Sequence, residues 1–347
     1  MTHTQENTTA LAPWLELNLR QFPLEYGDQL SSHLPMAMHA LHSLGADETR
    51  MAAFFNSYSR RFEGMAAPPP AAPPQDWLSL RGDWSAFGAL RSYFELALAA
   101  EGRDALLRRV LPDLLPGISA VAFHGAIRLA HALQGGHAGE LAAALAYWAS
   151  RWQQLPVPAL SPSGVEPLTL AAWSERLVAS ASTWRSQAAL IFLRMLEASA
   201  RPVYAELVWA APAPAPTLLA RVAELAKLAL DYYLHSANFT VLHMITGLRA
   251  VRVLAPWVPA DPHFQIEAQT ILTAAFIAAY MAAYMAGRVQ WRDIPLAAEP
   301  APTWSALADA ATLSEDDHAI KLVHACREEW AVYGDSRYLQ AAAMGLR

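Results

Sequence analysis

Between Glu267 and Arg288 the chain runs for twenty residues without a charge, AQTILTAAFIAAYMAAYMAG. As a helix this stretch is long enough to cross a bilayer; in a water-soluble fold it needs a full jacket of other apolar helices. Its composition favours the second. Eight of the twenty are alanine, and Gln269, Thr270 and Thr273 add polar groups. Ala274, Ala278 and Ala282 recur every four residues, as do Phe276, Tyr280 and Tyr284. A small-residue ridge beside an aromatic one suits close helix–helix packing. The expectation is a central buried helix over Gln265–Gly287 and no membrane association.

The rest of the chain can supply that jacket. Apolar residues make up 54% and charged ones 16%, so the core is large and the polar surface thin. Helical periodicity runs through block after block, including Trp84–Ala99, Ile118–Leu133, Glu140–Gln153, Trp184–Ala198, Thr217–Leu234, Phe239–Leu254, Asp317–Val332 and Ser336–Met344, and no stretch alternates long enough for a confident strand. Gly45 is placed to end one helix and Asp47 to cap the next. The breaks are proline clusters: Met65–Trp77 as an extended surface loop, then residues near 155–167, 211–216 and 295–304. None resembles a flexible interdomain linker. The fold class expected is all-α, a large irregular multi-helix bundle, as a single domain over 1–347.

Charge and cysteine content narrow the function. A net charge of −6 with no basic block argues against nucleic acid as a partner. Cys326 is the lone cysteine, in a helical context, so no intramolecular disulfide forms. The opening MTHTQENTTALAPW lacks the basic and apolar regions of a signal peptide, and a cytoplasmic location is expected. There is no GxGxxG after a strand, no phosphate-cradling GxxxxGK[ST], and no GxSxG, HExxH or CxxC.

What remains is twelve histidines, several inside apolar helices. A buried imidazole needs a partner, and a shared metal satisfies several at once. His124 and His131 lie about 20° apart on one helical face but two turns from each other, so a single ion is reached by one of them. His318 and Lys321, three apart, can meet at one point, whereas His324 lies about 120° round from His318. His39 and His42 form a rival pair at the same spacing.

The blocks SSHLPMAMHALHSLGA, FHGAIRLAHA, LHMITG and DDHAIKLVHAC, in this order and followed by DSRYLQAAAMGL, resemble the questin oxidase-like family over nearly the whole chain. That family includes fungal enzymes that oxygenate and cleave anthraquinone-type polyketide rings, described as Baeyer–Villiger-type oxygenases using NADPH or as non-haem iron oxygenases. The resemblance implies that His33, His124, His243 and His318, with Lys321, form a metal site. Neutral imidazoles suit a divalent first-row metal such as iron. Asp316 or Asp317 is the carboxylate within these motifs. Lys321 cannot ligate as an ammonium; buried beside a cation its pKa falls, and the neutral amine can bind carbon dioxide as a carbamate, an anionic oxygen ligand. The alternative is a surface ion pair with Asp317. Thr246 is placed to hydrogen-bond a metal-bound oxygen or its own helix backbone. Arg128 is placed to anchor an acidic substrate group or to form a surface salt bridge.

The leading expectation is therefore an oxygenase joining dioxygen to a small aromatic, quinone-like substrate at non-haem iron. Two rivals stand beside it: a metal-free NADPH-dependent oxygenase with the histidines as acids and bases, and a non-catalytic helical binding protein whose histidines satisfy one another or hold haem.

Overall fold

A computed structural model describes residues 3–158, 164–181, 184–286, 291–293 and 302–347, with side chains described from residue 10 onward. In chain order the helices are α1 (His3–Gln21), α2 (Leu34–Leu44), α3 (Glu48–Ser59), α4 (Phe87–Glu101), α5 (Arg103–Leu114), α6 (His124–Gly135), α7 (Ala138–Ser150) and α8 (Leu170–Ala181). Then come α9 (Ile191–Ser199), α10 (Pro202–Trp209), α11 (Leu218–Ser236), α12 (Phe239–Leu254), α13 (Pro262–Met285), α14 (Trp304–Leu313), α15 (Asp317–Tyr333) and α16 (Arg337–Gly345). Among the described residues the only sheet is a two-residue antiparallel pair, β1 (Glu25–Tyr26) with β2 (Leu30–Ser31). The protein is all-α.

Its contacts divide it into two compact units, each assembled from separated segments: Met1–Leu106, His124–Trp152 and Leu296–Arg347 in the first, Leu107–Phe123 and Gln153–Pro295 in the second. Whether 1–347 behaves as one domain is thus a question of cooperativity. In the first unit α2 is the central helix, packed on α1, α3, α6, α14 and α15. Every residue from Leu34 to Leu41 is buried. Gly45 ends α2 in a left-handed conformation, and the Asp47 side chain caps α3 by accepting from the Arg50 N–H at 2.8 Å. Gly125 on α6 permits close packing on α7, because a Cβ there would lie 2.7 Å from the Trp148 ring.

In the second unit α13 is the core helix, against α8, α9, α10, α11 and α12. It is long and apolar enough to span a membrane, but its side chains are taken up by this interior. Ala274, Ala278 and Ala282 are buried as expected, and Tyr280 packs on Tyr232 with ring centroids 4.4 Å apart. The Gly287 end of the expected helix lies outside the described residues, as do parts of the breaks near 155–167 and 295–304.

Two helices begin later than periodicity implies. The block from Trp184 is helical only from Ile191. The block from Ile118 becomes α6 only at His124, because Val121, Ala122 and Phe123 turn left-handed, with φ of 43°, 56° and 69°. Such conformations cost non-glycine residues about 1–2 kcal/mol each, so tertiary packing overrides good local helix formers. The anchor is Phe123, buried against α12, where Gly247 leaves room: a Cβ there would sit 2.9 Å from the Phe123 ring.

Candidate functional site

Three helices of the first unit present histidine at their N-termini. His33 is the N-cap residue of α2, with Pro35 in the first turn. His124 opens α6, delivered by the left-handed turn. His318 is the second residue of α15, whose N-cap Asp316 accepts from the N–H groups of His318 and Ala319 at 2.8 and 3.4 Å. Arg50 holds the approach to α15 through Glu315 at 2.7 Å and the Ser314 carbonyl. The positive ends of these helix dipoles favour neutral imidazoles and nearby anions.

The buried anion is Asp317, the first residue of α15. Its Oδ2 accepts a short hydrogen bond from His33 Nδ1 and lies 3.2 Å from His318 Nδ1, while Oδ1 pairs with Arg61 at 3.1 Å. Across the His33 ring, Nε2 lies 2.7 Å from His124 Nε2. The His33 and His124 rings stack at 4.7 Å, and His318 meets His33 edge-on at 4.6 Å. Tyr58 completes the wall: its hydroxyl accepts from the His33 backbone N–H at 2.9 Å, and the Arg61 guanidinium lies over its ring.

A carboxylate only accepts, so His33 carries its proton on Nδ1 and offers a lone pair at Nε2. Burial drives the His33 pKa down to about 3, reinforced by the Lys321 charge and opposed by Asp317. Burial and Lys321 likewise lower His318. For Asp317, burial opposes ionisation, but His33, His318 and Lys321 outweigh it and hold the carboxyl well below its usual range. Burial lowers Lys321 to about 8 against the pull of Asp317 and Asp316. Neutral imidazoles beside a fixed carboxylate are the protonation state a cation site requires.

His33, Asp317 and His318 each offer an atom within 4.8 Å of the others, a group able to hold a divalent metal, and His124 adds a ring nitrogen on the other side of His33. Co-ligands about 2.1 Å from one ion sit about 3.0 Å apart at octahedral angles and about 3.4 Å at tetrahedral ones, so the His33 and His124 nitrogens, 2.7 Å apart, would spread by about 0.3–0.7 Å to share one. Asp317 behind His33 is the carboxylate that orients a ligating histidine and raises its basicity.

Of the residues singled out from the sequence, His33, His124 and His318 come together here. Lys321 is buried beside them, which overturns its reading as a surface partner of Asp317. His243 and Thr246 lie on α12 in the second unit. The Phe239 carbonyl accepts from His243 Nδ1 at 2.8 Å, leaving Nε2 as the ring's acceptor nitrogen. Thr246 Oγ1 points back to the carbonyls of Leu242 and His243, each at 3.4 Å. Arg128 is no surface residue: it is buried on α6 and bound twice by Glu140 of α7, at 2.7 and 3.0 Å. Arg61 and Tyr58 are participants that sequence reasoning missed, and Asp317 has more partners than it foresaw. Asp317 stands 256 residues from Arg61 and 284 from His33, a separation no local pattern bridges.

Searching curated proteins yields no match. The family model described as questin oxidase-like matches residues 30–326, a span that holds all three clustered histidines, Asp317 and Lys321. The chain belongs to the questin oxidase-like family.

Proposed function

We propose that the protein is an oxygenase that acts with dioxygen on a small aromatic, quinone- or polyketide-like substrate, using a non-haem iron held by His33, His124 and His318, with Lys321 as a further ligand. The observation that carries this reading is the pair of Nε2 atoms 2.7 Å apart, one of them backed by a buried carboxylate. When bound, iron supplies the one-electron chemistry that lets dioxygen react with a closed-shell aromatic. Asp317 fixes the ring and tautomer of His33, and Arg61 balances the carboxylate charge. Lys321, with a pKa of about 8, has roughly a tenth of its amine neutral at pH 7. That amine can add carbon dioxide, releasing a proton, to give the anionic carbamate. The lone Cys326 is a buried free thiol, in keeping with action in the cytoplasm.

A second reading rests on the continuous path Asp317–His33–His124, which is also a proton relay. In a metal-free reaction with NADPH, His124 would be the acid–base group and Asp317 would steady the relay. Oxygen uptake with a hydroxyanthraquinone separates the two. Tag-free protein is stripped, then assayed with Fe2+, with NADPH, and with both. Uptake that requires Fe2+ and is lost in His33→Ala supports the iron oxygenase. Uptake with NADPH that survives chelation supports the relay, and no uptake under any condition, or bound haem, defeats both.

A further inference from the structure

The proline-rich connection from Ala211 to Pro216 joins α10 to α11, and two side chains hold it in place. Arg221, in the first turn of α11, donates from Nη2 to the Pro212 carbonyl at 3.0 Å and to the Ala213 carbonyl. Gln269 of α13 clamps Ala215, accepting from its N–H at 2.7 Å and donating to its carbonyl at 3.1 Å. Proline fixes φ, so a connection held in this way keeps one shape. Together with α13 it walls a pocket of about 210 Å³, lined by Trp209, Pro212, Pro214, Arg221, Thr270 and Thr273.

The polar atoms left over in that wall are donors. Arg221 is 2% exposed, yet its Nε makes no hydrogen bond. Its Nη1 has an ion pair with the partly exposed Glu224 carboxylate, 2.9 Å away but outside hydrogen-bond geometry. Trp209 belongs to the same wall, and its Nε1 is buried without a partner as well. The other polar side chains have their donors committed: the Gln269 amide to Ala215, and the Thr270 and Thr273 hydroxyls to the Ile266 and Gln269 carbonyls at 3.0 and 2.8 Å. A buried N–H left unpaired is costly, and burial lowers the Arg221 pKa against the pull of Glu224. An acceptor carrying one negative charge relieves both. The pocket has the volume of about seven waters, room for a flat molecule of roughly ten non-hydrogen atoms.

We propose that this pocket binds a small organic monocarboxylate, with the carboxylate at Arg221 and Trp209 and a compact apolar body against the prolines. One charge is the limit. Arg221 is the sole charged side chain of the wall among the described residues, and Glu224 already balances part of it. A phosphate dianion would bring a second, uncompensated charge. The site is built wholly from the second unit, and it does not depend on the iron reading.

Binding of 4-fluorobenzoate to metal-stripped, tag-free full-length protein tests it, followed by fluorine NMR and calorimetry. The wild type is expected to bind one equivalent with a Kd of about 1 mM or tighter. The neutral isostere 4-fluorobenzamide should bind roughly tenfold more weakly or worse, and so should 4-fluorobenzoate to Arg221→Met. Trp209→Phe, which keeps an aromatic ring and removes the N–H, should cost about three- to tenfold. Glu224→Gln removes the competing carboxylate and should tighten binding. Circular dichroism checks that each variant folds; if Arg221→Met does not, Trp209→Phe and Glu224→Gln decide. No binding to the wild type at about 10 mM, equal affinity for the benzamide, or unchanged affinity in a folded Arg221→Met would overturn the proposal. So would Trp209→Phe and Glu224→Gln both binding as the wild type does, or inorganic phosphate displacing 4-fluorobenzoate at equal concentration.

Discussion

Arg128 and Glu140 allow a sharp choice between packing and substrate binding. Both side chains are 2% exposed, and the guanidinium holds the carboxylate through two hydrogen bonds of 2.7 and 3.0 Å. Arg128→Met leaves a buried carboxylate uncompensated, and Glu140→Leu leaves a buried guanidinium. Breaking such a pair from one side costs about 3–5 kcal/mol, whereas replacing both partners with apolar groups of similar volume is often neutral or stabilising. Additivity would put the double variant about 6–10 kcal/mol below wild type; the pair geometry puts it within about 2. The coupling is therefore at least about 4 kcal/mol. Urea unfolding followed by circular dichroism resolves this, since about 3–5 kcal/mol at an m-value of about 3 kcal/mol/M moves the midpoint by about 1–1.7 M. An Arg128→Met variant with an unchanged midpoint and a raised KM would refute this reasoning and make Arg128 a substrate anchor.

Ala278→Asp places a charge at a fully buried position of α13 and should cost several kcal/mol; unchanged thermal stability would show that α13 is not a core helix. The metal-free protein should lose stability as pH falls from about 6.5 toward 4.5. Unfolded His33 then takes up a proton at its ordinary pKa, while the folded ring waits until about 3. The slope reaches about 1.4 kcal/mol per pH unit for that one group, His318 adds to it with the same sign, and His33→Asn should reduce it; a flat profile would mean that His33 is protonated in the fold. We propose that 1–347 unfolds as one cooperative domain, because each unit is built from segments separated by the other; two resolved calorimetric transitions would contradict this.

Much of the fold is written locally. Phe239–Leu254 is bounded correctly because Asn238 caps it and a proline turn follows, and α15 starts at Asp317 because Asp316 caps it. The turn before His124 is not legible: Val121, Ala122 and Phe123 have no glycine to announce positive φ, and what holds them is packing on Gly247. Family motifs singled out His33, His124 and His318, yet nothing in their spacing reveals that Asp317 links two of them. The two-turn offset of His124 and His131 places them with different partners, His124 beside His33 and His131 beside His39. That His39 and His324 join His131 follows only from three helices placed side by side in the same direction.

Iron binding at His33, His124 and His318 is open to direct measurement. Crystals of the iron-loaded, tag-free protein, measured on both sides of the iron absorption edge, test it directly. The expected result is an anomalous peak within bonding distance of His33 Nε2 and His124 Nε2, absent in His33→Ala. A map with no peak there, from protein shown to contain iron, would contradict it.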